Sequence, residues 1–116
     1  MFARLMGLKT ITPGELHRLL QTGQVTAVDV NPPQSWARAR VPGAVNLDPA
    51  GYRDSDLPAD RDSMLVFYCS NVMCRKAPNA ARRARQMGYR NVHVMSAGIR
   101  GWLDAALPAE SGERLP

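Results

Sequence analysis

Apolar residues in this chain follow two periods. The first is the short unbroken run: Val25 to Val30, Met64 to Tyr68 and Asn91 to Met95 are rich in Val, Leu, Phe or Tyr. Runs of that length, apolar toward both faces, predict strands of a parallel sheet covered above and below. Ala44 to Leu47 predicts one more short strand. The second pattern repeats every three or four positions. Leu16, Leu19 and Leu20 form one helical face, opened by Thr12-Pro13-Gly14-Glu15, a capping box with proline at the first helical position, and stopped by Gly23. Ala77, Ala80, Ala81, Ala84 and Met87 share a face of another helix, with Pro78 in its first turn and Gly88 at its end. Arg82, Arg83, Arg85 and Gln86 then take its solvent side.

The remaining segments are shorter. Asn31-Pro32-Pro33-Gln34 predicts the start of a small helix that holds Trp36, and Val41-Pro42-Gly43 a turn. Residues 48–62, rich in Pro, Gly and Asp, predict a loop with one helical turn, and Gly98 to Leu107 a last helix. Strands alternating with helices imply an α/β fold with a central parallel sheet flanked by helices in three layers. Sites in such folds lie at the carboxyl ends of the strands. Asp29, Cys69 and Ser96 fall at or near such ends.

Composition narrows the picture further. The 116 residues make one domain, and a hydrophobic fraction of 45% is that of a globular protein. The net charge of +5 steers anions or an acidic protein partner. Basic and aromatic residues do not interleave, so no nucleic acid is expected. No stretch is long and apolar enough for a membrane span, and Met1-Phe-Ala-Arg-Leu-Met-Gly7 is too short and broken for a secretory signal, so the expected location is cytoplasmic. The two cysteines lie five residues apart in one loop. They make no disulfide framework and no zinc site, and neither metal nor cofactor is expected.

The chemistry concentrates at Cys69. It ends the run Met64-Leu-Val-Phe-Tyr68 and opens Cys69-Ser-Asn-Val-Met-Cys74-Arg75-Lys76, directly before the alanine- and arginine-rich helix. A strand, a short loop and a helix start place a thiol at the mouth of a ring of backbone N–H groups. The ring and the helix dipole favour negative charge, so the thiol is expected to sit below its free value of about 8.5, as thiolate. Ser70, Asn71, Val72, Met73, Cys74 and Arg75 then form an anion-binding loop.

These segments together resemble the rhodanese-like domain. Ile11-Thr-Pro-Gly-Glu-Leu16 is similar to the family's opening strand and helix, and Val28-Asp-Val-Asn-Pro-Pro-Gln-Ser-Trp36 to its Asp-Val-Arg-x-x-x-x-Trp/Phe stretch. Arg40-Val-Pro-Gly-Ala-Val-Asn46 resembles its His-Ile-Pro-Gly-Ala-x-Asn element. Tyr68-Cys69 matches the start of the active-site loop. Met87-Gly-Tyr-Arg-Asn-Val92 and Ser96-Ala-Gly-Ile-Arg-Gly-Trp102 match the closing elements. The likeness spans roughly residues 9–108, the expected core, with short tails on either side. It implies a rhodanese-like fold and a sulfurtransferase activity through a persulfide on Cys69. Sulfur would pass from a small anionic donor such as thiosulfate to a thiol or cyanide, or to an acceptor protein.

Four departures from the family pattern stand out. No glycine lies three residues after Cys69, and Arg75 follows it by six positions where the family's loop arginine follows by five. Asn31 replaces the family's arginine, and Arg40 its histidine. The resulting Cys-x5-Arg spacing also resembles the loop of dual-specificity phosphatases and arsenate reductases of the same fold. A phosphatase or reductase using Cys69, and a non-catalytic or sulfur-relay binding module, are therefore the alternatives. Against the phosphatase, the loop itself carries no acidic residue to serve as general acid.

Residue by residue, Arg75 is expected to bind the anion through its guanidinium fork, with Lys76 a weaker supporting cation. Cys74 has two readings: a thiol that resolves a persulfide or pairs with Cys69, or a small apolar residue closing the loop. Asp29 is either a structural acceptor for backbone N–H groups, the simpler reading, or a supporting residue that orients the loop donors from its strand end or carries a proton. Trp36 and Trp102 are expected in the core. His17 and His93 lie far from Cys69 in sequence, so no Cys–His dyad is expected.

Overall fold

The computed structural model describes residues 2–113. It has helix α1 (Phe2–Leu5), β1 (Lys9–Thr10), α2 (Pro13–Thr22), β2 (Val25–Asp29), α3 (Pro33–Arg38), β3 (Val45–Asn46), β4 (Met64–Tyr68), α4 (Lys76–Gln86), β5 (Asn91–Val94) and α5 (Gly98–Asp104), with one 3-10 turn at Asp54–Asp56. The five strands form one sheet in the order β1-β5-β4-β2-β3, every pairing parallel. The expected α/β fold is therefore present.

Alternation along β4 divides the core. Leu65 and Phe67, with Cys69 beyond them, join one cluster with Val28, Val94 and the alanines Ala77, Ala80, Ala81 and Ala84 of α4. Val66 and Tyr68 point the other way, into a cluster with Leu16 and the fully buried Trp102. Small alanine side chains let α4 lie close on the sheet. This seats the loop before α4 directly over the carboxyl end of β4, the middle strand.

Local signals account for most boundaries. The Thr12 side chain accepts from the Glu15 N–H at 3.1 Å while Glu15 accepts from the Thr12 N–H at 3.0 Å, so the capping box forms in both directions. Gly23 takes a φ of 72° as the cap of α2. Three expectations need correction. The opening strand is Lys9–Thr10, just before Ile11. The last helix stops at Asp104, because the chain turns at Ala106 (φ 57°) so that the Pro108 carbonyl can accept from the Trp102 indole at 2.8 Å. Arg83 leaves the expected solvent face of α4: its guanidinium donates twice to the Tyr52 carbonyl, at 2.9 and 3.0 Å. Arg82, Arg85 and Gln86 remain exposed. Among the described residues, no helix is long and apolar enough to cross a membrane.

Candidate functional site

Cys69 follows the last residue of β4, and the six residues from Ser70 to Arg75 lead into α4. Asn71 shapes this loop. Its side-chain oxygen accepts from the Met73 N–H at 2.9 Å and its carbonyl from the Cys74 N–H at 3.1 Å. Such an asparagine turn needs only local geometry. It curls the chain back so that Cys74 returns over Cys69. Their Cα atoms are 6.4 Å apart and their sulfurs are joined in a disulfide.

This pairing corrects two expectations. In the disulfide neither sulfur titrates, and Cys69 is only 3% exposed, so no thiolate stands at an open mouth in this state. The ring of N–H donors is also incomplete, since those of Met73 and Cys74 are taken by Asn71.

Support comes from α5. The N–H groups of Ile99 and Arg100 donate to the carbonyls of Cys69 and Ser70 at 2.9 and 3.0 Å. The close approach depends on Gly98. Its φ is +66°, and a Cβ there would lie 2.6 Å from the Ser70 carbonyl group and 2.7 Å from the Asn71 nitrogen. In the sequence alone Gly98 is a helix start within the closing motif, with no sign of the contact to Ser70. A glycine in a motif otherwise reading as helix was the available signal.

Ser70, Asn71, Met73, Cys74, Arg75, Lys76 and Asn31 line an open groove of about 570 Å³ on the outer face of the loop. Arg75 and Lys76 are both exposed there. Cys74 lines this groove and Cys69 does not; behind Cys69 lies a cavity of about 10 Å³, the size of one water. Val72 and Met73 hold their side chains largely in solvent, at 50% and 63% exposure.

Asp29 is not part of this assembly. Its carboxylate accepts from the Asn31 N–H and the Tyr68 hydroxyl, both at 2.8 Å, and Tyr68 in turn accepts from the Val41 N–H at 3.1 Å. Tyr68 packs in the cluster on the opposite face of the sheet from Cys69. The carboxylate thus accepts from one strand-end N–H, that of Asn31. Arg40, unremarked beyond its place in the motif, is fully buried. It stacks 3.9 Å from the centre of the half-buried Trp36 ring and donates to the Gly112 carbonyl at 2.7 Å, tying down the chain after α5.

Burial holds the Asp29 carboxyl above its ordinary range, although the hydrogen bonds from Asn31 and Tyr68 act to lower it. The native state therefore binds this proton more tightly than the unfolded chain. Its contribution to stability is full below the unfolded value of about 3.9 and is lost as pH rises through the raised native value. Urea unfolding of the parent and Asp29→Asn between about pH 4 and 8 should show the parent's advantage shrinking as pH rises. A gap that is constant or grows would contradict this. Tyr68→Phe should cost about 1–3 kcal/mol, because it removes a partner from both the carboxylate and the Val41 N–H.

Comparison with known proteins places these features in context. A model of the Rhodanese-like domain matches residues 12–105. The chain is 39% identical over 104 residues to the HTH-type transcriptional regulator Rv0324 of Mycobacterium tuberculosis, covering 88% of this chain but only 45% of that protein. It is 29% identical over 106 residues to the thiosulfate sulfurtransferase GlpE of Haemophilus influenzae, covering 91% of this chain and 98% of that one. Among solved structures, the thiosulfate sulfurtransferase of Pseudomonas aeruginosa superposes with a TM-score of 0.84 at 17% identity, over 98% of this chain and 23% of that chain.

Proposed function

The chain belongs to the rhodanese-like domain family, and on that premise we propose that it is a sulfurtransferase whose reduced form carries sulfur on Cys69. The observation that carries the reading is the position of Cys69. It heads the loop at the carboxyl end of the middle strand, with the N–H groups of α5 on its carbonyl and that of Ser70. The likeness to GlpE, over nearly the full length of both chains, supports the same activity.

In the reduced protein the Cys69 thiolate attacks the outer sulfur of thiosulfate. The sulfur–sulfur bond of the donor breaks and sulfite leaves with the bonding pair. Cys69 is left as a persulfide. A thiolate or cyanide then takes the outer sulfur and Cys69 returns as thiolate, a ping-pong cycle. With the disulfide open, the groove lined by Cys74, Arg75 and Lys76 lies beside the reacting sulfur and supplies positive charge for donor and leaving group. The cycle uses the protein's own groups.

The test is stoichiometric. Reduced protein mixed with thiosulfate should release one sulfite per chain. No sulfite, with hydrolysis of an aryl phosphate instead, would overturn the reading in favour of the phosphatase that the Cys-x5-Arg spacing suggests. Arg75 has its own test. Sulfate should compete with thiosulfate, and Arg75→Ala should weaken that competition about tenfold, the effect of one charge-assisted hydrogen bond of about 1.5 kcal/mol. Arg85→Ala, on the exposed side of α4, should leave it unchanged. Equal shifts in both variants would mean diffuse charge and no anion site at Arg75.

A further inference from the structure

We infer that Cys74 is a resolving cysteine: it converts the persulfide on Cys69 into free sulfide and the Cys69–Cys74 disulfide, so that the protein reduces sulfane sulfur with a dithiol as the electron source. This rests on the sulfurtransferase reading above.

The two residues are the chain's only cysteines, and one loop holds both. Their Cα separation of 6.4 Å lies inside the range that a disulfide spans. The Asn71 turn makes the approach part of the loop's own fold, through two hydrogen bonds, from the Met73 and Cys74 N–H groups, that involve neither sulfur. A thiol held so close competes well with any acceptor that must diffuse in.

The chemistry balances. The Cys74 thiolate attacks the inner sulfur of the Cys69 persulfide. The bond between the two persulfide sulfurs breaks, hydrosulfide leaves with the electron pair, and the Cys69–Cys74 bond forms. The outer sulfur is reduced to sulfide and the two cysteines are oxidised. With the first transfer, thiosulfate and two thiols give sulfite, hydrogen sulfide and a disulfide.

A dithiol must then reset the loop. In the closed state Cys74 lines the groove while Cys69 is 3% exposed, so an incoming thiolate meets the Cys74 sulfur first. Cys69 departs as thiolate, ready for the next donor, and a mixed disulfide remains on Cys74. The second thiol of the reductant attacks its own partner sulfur and frees Cys74. The closed loop thus protects the nucleophile until electrons arrive.

The experiment uses protein that is fully reduced, freed of reductant without air, and given one equivalent of thiosulfate. Parent protein should release one sulfite and one sulfide per chain, lose two hydrogens in mass, and yield a peptide linked between Cys69 and Cys74. Cys74→Ser should release sulfite but no sulfide and gain one sulfur in mass, with sulfide appearing only when an external dithiol is added. Cys74→Ala should behave the same, and the parent's own sulfide yield tests the idea even if a variant folds poorly. Sulfite without sulfide from the parent, with the added sulfur held as stably as in the variants, would overturn the resolving role and leave the sulfurtransferase reading intact. No sulfite from any of the three would overturn that underlying reading, and this inference with it.

Discussion

Cys69→Ser is expected to abolish sulfite release from thiosulfate entirely, whereas the reduced parent releases one sulfite per chain. Serine keeps nearly the same shape, and Cys69 contributes only as one member of a large cluster beneath α4, so the fold should survive. What is lost is the nucleophile. A serine hydroxyl is scarcely ionised near neutral pH, and it cannot form a persulfide. Both proteins should be compared in the reduced state, because the variant also lacks the Cys69–Cys74 cross-link. A circular dichroism spectrum and urea midpoint matching the reduced parent would show that chemistry alone was removed. Sulfite release by the variant at a rate comparable with the parent would move the nucleophile elsewhere, and Cys74 would be the first place to look.

The second large effect is expected at Gly98, which touches no substrate in the proposed reaction. Alanine there would be held at a φ of +66°, which costs an L-residue roughly 1–2 kcal/mol. The added methyl would also sit 2.6 Å from the Ser70 carbonyl group, so the loop or α5 must shift. Either shift breaks the hydrogen bonds from Ile99 and Arg100 that hold the carbonyls of Cys69 and Ser70. Gly98→Ala should therefore lower both the unfolding midpoint and the rate of sulfur transfer, the latter by more than the loss of folded protein accounts for. Gly14→Ala provides the contrast. Gly14 lies in the first turn of α2 with nothing within 4 Å of its would-be Cβ. Alanine there should leave transfer unchanged and stability equal or slightly higher. Equal losses in the two variants, or full transfer by Gly98→Ala, would show that the α5 contact does not position the loop.

Much of the architecture was legible in the chain because it is set by short-range rules. Apolar runs five residues long made β2 and β4, and a capping box within four residues made the start of α2. The alanine face of α4 and its arginine side came from helical period alone, except at Arg83. α5 ends three residues before the expected Leu107, because its stop is set by a contact with Pro108 and not by a local breaker.

The candidate site divides along the same line. The sequence by itself determined where the reactive group lies: an apolar strand ends at Tyr68, a cysteine follows, and a helix begins seven residues on, which is enough to put Cys69 at the carboxyl end of a buried strand. Only the tertiary structure decided what surrounds it. Loops have no period, so the return of Cys74 onto Cys69 depended on hydrogen bonds made by Asn71. The approach of Gly98 to Ser70, the burial of Asp29 against Tyr68 and the clamp of Arg40 on Gly112 join segments far apart in sequence. Those meetings follow from sheet register, which sets Asp29 beside Tyr68, and from the helices that cross between parallel strands. Hydrophobic pattern specifies which face of each element is buried. It does not specify which buried faces meet, because any apolar face satisfies another until shape and hydrogen bonding select one partner.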